Sequence, residues 1–523
     1  MLKLQIARLF ILGLLPMALL AQAQNPTVKV TGGVVEGRLQ ADSIAVFKGI
    51  PFAAPPVGDL RWREPAPVAP WTGVKDASKF SASCAQAIND WNRQEAIGNQ
   101  EDCLYLNVWT NEWPAKNKKP VMFWIYGGGN TAGGASVDYF DGASLAHKGV
   151  VLVTFNYRMG LFGFFAHPAL TAESPHHASG NYTMLDHQAA LKWVRDNIAQ
   201  FGGDPDNITV FGQSAGSANT NYLLTSPLAK GLFHRAIQQS GSGIRDMPTR
   251  AEAEKAGERF ATSIGLPAGK EGLKALRAMP AEQLRLKAVE AKGESRPIMG
   301  PSVDGYVLTM ESQRVMLSGK QHAVPLMIGS NAQEQGGPGT PEEFRQQAAT
   351  LFGSNADKAL TFYGLHNGGE GKSDPLYGSA SRAFAADTNQ RCGSMQAAIW
   401  HAATGQPVYL YQYDHAIAGQ PATRHSAEVP YLFGNLLPKG FLSGGPYTDV
   451  DRRISGELQT YWTNFAKTGD PGSAGMPKWD KFDTQRRAML EFTDQGPIAV
   501  EGLRREICDL YMDGLHQHLG KKS

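Results

Sequence analysis

The segment "NITVFGQSAGS" at 207–217 constrains this chain more than any other part of its sequence. A strand-forming run leads into Gly212, Gln213, Ser214, Ala215 and Gly216, so one serine sits between two glycines where a strand would give way to a helix. So sharp a turn forces the serine into a strained backbone conformation, and bulky residues two positions to either side would collide. Glycine at 212 and 216 removes those collisions. The turn also aims the first amides of the following helix at the serine, where they can stabilise negative charge. Ala215 would supply one such N–H. The pentapeptide is short enough to recur by accident, so its meaning rests on its surroundings.

Those surroundings alternate strand and helix. "PVMFWIY" (120–126) and "VVLVTFNY" (150–157) are near-continuous apolar runs, as expected of strands covered on both faces. In "MLDHQAALKWVRDNIAQF" (184–201), Leu191, Val194, Ile198 and Phe201 recur at helical steps and form one face turned towards a sheet. "GGDP" then stops the helix and "NITVFG" returns as a strand. The order predicts an α/β architecture with a largely parallel central sheet.

A serine hydroxyl is protonated at neutral pH, so it needs a histidine base and an acid to orient that base. It also needs further donors for a developing oxyanion. "YGGGN" (126–130) follows a predicted strand, and its glycines let backbone N–H groups approach a substrate oxygen. Alone, this motif also reads as a flexible turn.

The N-terminus reads as an export signal: a basic start, an apolar run at 9–20, and "AQA" at 21–23 as a small-residue cleavage site. Cleavage after Ala23 would leave residues 24–523 as the mature chain; an uncleaved membrane anchor is the alternative. No later stretch is apolar enough to span a bilayer, so no stable membrane insertion is expected. Export would give the four cysteines an oxidising compartment, periplasmic or extracellular. Pairing Cys84 with Cys103 and Cys392 with Cys508 is one of three connectivities, and four buried thiols are the other reading. The formal charge of +2, with Lys3 and Arg8 inside the leader, gives no footprint for nucleic acid.

An ordered series of stretches then identifies a resemblance: "FKGIPFAAPPVGDLRWREP", "EDCLYLNVWT", "WIYGGGN", "VTFNYRMGLFGFF", the long block from "GNYTMLDHQ" to "GQSAGS", "MIGSNAQEQG", "HSAEVPYLFGN" and "YWTNFAKTGDP". These cover nearly the whole mature chain, which resembles the type-B carboxylesterases, α/β-hydrolases that include cholinesterases and bile-salt-activated lipase. The resemblance implies a single domain over 24–523, an α/β-hydrolase fold with a large mixed, mostly parallel sheet flanked by helices. It implies Ser214 as nucleophile, Glu334 as acid and His425 as base, in the Ser, acid, His order of such folds. Oxyanion donors fall on Gly128, Gly129 and Ala215, with Gly127 shaping the turn. The pairs Cys84–Cys103 and Cys392–Cys508 resemble the family's disulfides, and Arg61 with Glu101 and Arg158 with Asp186 resemble its loop-pinning ion pairs.

The implied activity is hydrolysis of a small-molecule carboxylic ester through an acyl-enzyme, with no metal or organic cofactor. An interfacial lipase or polyester hydrolase is an alternative on the same triad. A non-catalytic binding or adhesion protein of the same fold is an alternative of another class. Gln213 replaces the glutamate many members carry before the serine, which weakens the case for a cationic choline-like substrate. Asn130 replaces a frequent phenylalanine, so a more polar or more open wall is expected there. Trp91, in the loop between Cys84 and Cys103, has no secure counterpart. The sequons at Asn181 and Asn207 read as chance matches, and the oligomeric state is open.

Overall fold

The computed structural model describes residues 25–88, 92–93, 98–366 and 369–521. The predicted leader and Trp91 lie outside the described residues. Among these, eleven strands form the main sheet: β1 (Arg38–Leu39), β2 (Ile44–Pro51), β3 (Tyr105–Asn111), β4 (Lys119–Ile125), β5 (Val151–Phe155), β6 (Gly203–Gln213), β7 (Arg235–Gln239), β8 (Leu326–Asn331), β9 (Val408–Tyr413), β10 (Ala488–Thr493) and β11 (Gly496–Glu501). Their order is β11-β10-β9-β8-β7-β6-β4-β5-β3-β2-β1. From β10 through to β5 neighbours run parallel. The two ends of the sheet are antiparallel. This is the expected mixed, mostly parallel α/β-hydrolase sheet, with a separate small sheet of Thr27–Val30, Gly33–Glu36 and Val74–Asp76 near the N-terminus.

Burial explains the strand composition. All five residues of β5 and the last five of β4 are buried, because helices cover the sheet and leave no wet face to reward a polar alternation. Helix α1 (Tyr182–Asn197) continues as a 3₁₀ turn over Ile198–Phe201. Leu191, Val194, Ile198 and Phe201 are fully buried, as their spacing predicts. The helix ends on Gly202, whose φ of 78° only glycine adopts cheaply.

The strand then begins earlier than "NITVFG" alone suggests. Gly203 already pairs with Lys119, the register shifts, and regular pairing resumes at Ile208 with Val121. A bulge therefore absorbs Asp204 to Asn207, a turn-like composition that tertiary pairing draws into the strand.

Two disulfides cross-link the chain: Cys84–Cys103 across a sequence separation of 19, and Cys392–Cys508 across 116. The loop-pinning pairs also form. Arg61 grips Glu101 through two bonds of 2.5 and 2.7 Å, and Arg158 grips Asp186 at 2.6 and 2.9 Å, all four side chains buried or nearly so. The sequon residue Asn181 is buried and hydrogen-bonded in both directions to the Ser302 backbone, which closes it to a glycan. No helix among the described residues is long and apolar enough to cross a membrane.

Candidate active site

Three parallel strands of the sheet, β6, β8 and β9, with β7 between β6 and β8, deliver the predicted triad to one edge of the sheet. Ser214 directly follows β6, Glu334 follows β8, and His425 lies in the loop after β9, before the short helix Val429–Phe433. Side chains at the carboxyl ends of such strands converge because neighbouring parallel strands stop side by side.

Ser214 has φ 58° and ψ −123°, a conformation rare for a residue with a side chain, and caps helix α2 (Ala215–Thr225). The flanking glycines act as expected. A Cβ at 212 would lie 2.5 Å from the Gly216 backbone, and one at 216 would lie 1.9 Å from the Ile125 carbonyl oxygen. Both are below any tolerable contact, so the elbow can pack on β4 only with glycine at each position. Gly127 is held likewise, since a Cβ there would sit 2.7 Å from the Gln213 carbonyl oxygen.

Glu334 and His425 form a short pair: His425 Nδ1 donates to Glu334 Oε2 at 2.5 Å. The other carboxylate oxygen of Glu334 accepts the Asn331 backbone N–H at 2.8 Å. Burial by itself would lower the imidazole pKa, but the charge of Glu334 and its hydrogen bond override this and leave His425 above its ordinary value. With Nδ1 donating, Nε2 of the neutral ring is an acceptor. That nitrogen receives the Gln213 side-chain amide at 3.2 Å. Among the described residues, Ser214 Oγ makes no hydrogen bond to His425, although both side chains line one cavity. Apo geometry of this kind is common where the nucleophile–base bond tightens only with substrate present.

The predicted oxyanion donors gather beside the serine. Gly128 and Gly129 adopt φ of 109° and 64°, and Ala215 is the first residue of α2. None of their three N–H groups donates to an acceptor among the described residues. Unsatisfied amides at a helix start and a glycine loop are a ready anion site.

Sequence reasoning missed three features. Gln213, read only as a neutral replacement, touches the imidazole. Glu428, one turn after His425, is a second buried carboxyl, accepting from Gln239 Nε2 at 3.2 Å and Asn331 Nδ2 at 2.8 Å. Burial chiefly raises its pKa, against the Asn331 hydrogen bond, and the nearby Glu334 charge adds to the rise. Third, Asn130 and Asn219 form a reciprocal amide pair, at 2.8 and 3.3 Å, tying the glycine loop to α2. Asn130 is 2% exposed with φ 59°, a left-handed conformation asparagine tolerates, and it makes this bridge while also lining a cavity beside Ser214. An i, i+3 glutamate after a histidine, or an asparagine after three glycines, was the available signal.

Two cavities meet at Ser214. One, of about 600 Å³, is lined by the glycine loop, Val137, Phe140, Phe441, Leu442 and His425. The other, of about 480 Å³, contains Ala215, Ser240, Arg245, Gln313 and Gln390 but not His425. Among the described residues no cluster of side chains could hold a metal ion.

A model described as the carboxylesterase family matches residues 24–510. The chain is 37% identical over 510 residues to a fumonisin B1 esterase of Sphingopyxis macrogoltabida, covering 94% of this chain and 91% of that protein. It is 34% identical over 477 residues to a para-nitrobenzyl esterase of Bacillus subtilis (88% and 93%), and 33% identical over 502 residues to liver carboxylesterase 1 of Oryctolagus cuniculus (87% and 86%).

Proposed function

Since the chain belongs to the carboxylesterase family and is a carboxylic ester hydrolase, we propose that Ser214, Glu334 and His425 carry the reaction through an acyl-enzyme. His425 Nε2 takes the Ser214 proton as Oγ attacks the ester carbonyl, and the Gly128, Gly129 and Ala215 amides stabilise the tetrahedral oxyanion. Substrate binding brings Oγ to the nitrogen that Gln213 occupies at rest. Alcohol leaves with a proton from His425. Water then repeats the attack on the acyl-enzyme, and Glu334 holds the imidazolium throughout. No step calls for a cofactor.

The observation that carries this reading is the Glu334–His425 pair facing the cavity that also holds Ser214 and the glycine loop. A fluorophosphonate probe tests it: covalent labelling mapped to Ser214 is expected, and an intact protein that resists the probe contradicts the proposal. Soluble short-chain esters should be turned over faster than emulsified triglyceride; the reverse favours the lipase reading. Processing after Ala23 and export of a single domain over 24–523 are also proposed, supported by the two disulfides. N-terminal sequencing of secreted protein tests that, with Gln24 as the expected first residue.

A further inference from the structure

We propose that the cavity on the Ala215 side of Ser214 takes a carboxylate-bearing acyl group held by Arg245, while the apolar cavity beside His425 takes the alcohol. The inference rests on the Ser214 acyl-enzyme reading and adds the substrate class.

The assignment of sides follows from proton transfer. The leaving alkoxide must receive its proton from His425, so the alcohol lies beside the imidazole when the tetrahedral intermediate collapses. The cavity that includes His425 is walled by Val137, Phe140, Phe441 and Leu442 and suits an apolar alcohol. The acyl substituent points the other way across the carbonyl carbon. That direction leads past Ala215 into the second cavity, whose lining is markedly more polar.

Arg245 is the distinctive group in that polar cavity. Its Nε donates to the hydroxyl of buried Tyr222 at 2.9 Å, and its guanidinium carbon lies 5.8 Å from the centre of the Tyr222 ring. The stem is therefore oriented, while among the described residues no carboxylate pairs with the two terminal amino groups. The neighbouring carboxylate, Asp246, lines the same cavity, where it accepts from His518 Nε2 at 2.9 Å and Gln313 Nε2 at 3.0 Å rather than pairing with Arg245. Ser240, also in the cavity wall, has a buried hydroxyl without a hydrogen-bond partner among the described residues. An oriented, unpaired guanidinium with a spare hydroxyl nearby is a carboxylate-binding set, since the planar fork matches a carboxylate in geometry and charge. Arg245 is exposed and solvated at rest, whereas a purely apolar acyl chain would leave the buried Ser240 hydroxyl without a partner.

The test compares hexyl hemiesters of succinic, glutaric and adipic acid with chain-length-matched neutral hexyl esters, on the full chain. At least one hemiester is expected to exceed its neutral match in kcat/KM by roughly tenfold to a hundredfold, the scale of a charge-assisted hydrogen bond. Arg245→Met should collapse that ratio towards unity, and Arg245→Lys should restore part of it, which a merely structural role would not do. Moving the carboxylate to the alcohol side should give no such gain. All three hemiesters slower than their neutral matches, an unchanged ratio in Arg245→Met, or a gain from a carboxylate on the alcohol would overturn the inference. A wild type that hydrolyses neutral esters but no hemiester sinks this inference alone. One that hydrolyses neither and resists the fluorophosphonate sinks the esterase mechanism with it.

Discussion

Gln213 Nε2 lies 3.2 Å from His425 Nε2, so the residue before the nucleophile donates a hydrogen bond to the nitrogen proposed to act as base. A neutral amide there stabilises the neutral ring, whereas a carboxylate would stabilise imidazolium. Gln213→Glu should therefore raise the His425 pKa further and move the ascending limb of the pH–kcat/KM profile to higher pH. Activity falls below the new pKa because only the neutral ring can accept the serine proton. A limb that stays in place or moves to lower pH would show that the contact does not act on the base.

Glu334→Gln tests the opposite sign. The carboxylate keeps His425 above its ordinary value, so its removal should lower that pKa and carry the ascending limb to lower pH. It also disturbs the tautomer that leaves Nε2 free, which in another serine hydrolase cost about 10⁴ in kcat. A fall of roughly that order is expected in steady-state assays, with the fold intact by circular dichroism.

The Asn130–Asn219 pair joins the two segments that carry the proposed oxyanion donors. Asn219→Ala leaves the buried Asn130 amide unpaired, a defect of about 1–3 kcal/mol. We expect a lower urea midpoint together with a reduced kcat and little change in KM, because the donors act on the transition state more than on bound substrate. A loss confined to stability would assign the pair a scaffold role only.

The disulfides should differ in weight. By chain entropy, a bridge closing a loop of about 100 residues contributes some 4.7 kcal/mol against about 3 for one of 15. Cys392 and Cys508 are 116 residues apart, Cys84 and Cys103 only 19. Replacing the first pair by alanines should lower the denaturation midpoint more than replacing the second. Urea titrations of the two double variants decide the order.

What could be read from the chain was whatever local sterics or periodicity encode. The two glycines around Ser214 report a turn that admits no Cβ, and the apolar face of α1 reports its sheet contact. His425 carried no such local mark; one of 13 histidines, it was found only through the motif it resembles. The Gln213–His425 contact joins residues 212 apart in sequence, and the Asn130–Asn219 pair joins residues 89 apart, so neither leaves a short-range pattern. The early start of β6 was hidden for a related reason: "GGDP" has turn chemistry, and only pairing with Lys119 draws its second glycine into the strand.

The most direct test of the central claim is p-nitrophenyl ester hydrolysis by a folded Ser214→Ala variant. Loss of kcat by about six orders of magnitude, as when a subtilisin triad nucleophile is removed, is the expected result. Turnover close to wild type would contradict the account, because it would leave the strained serine, the buried Glu334 and the histidine it holds, and the free amides around them without a chemical role.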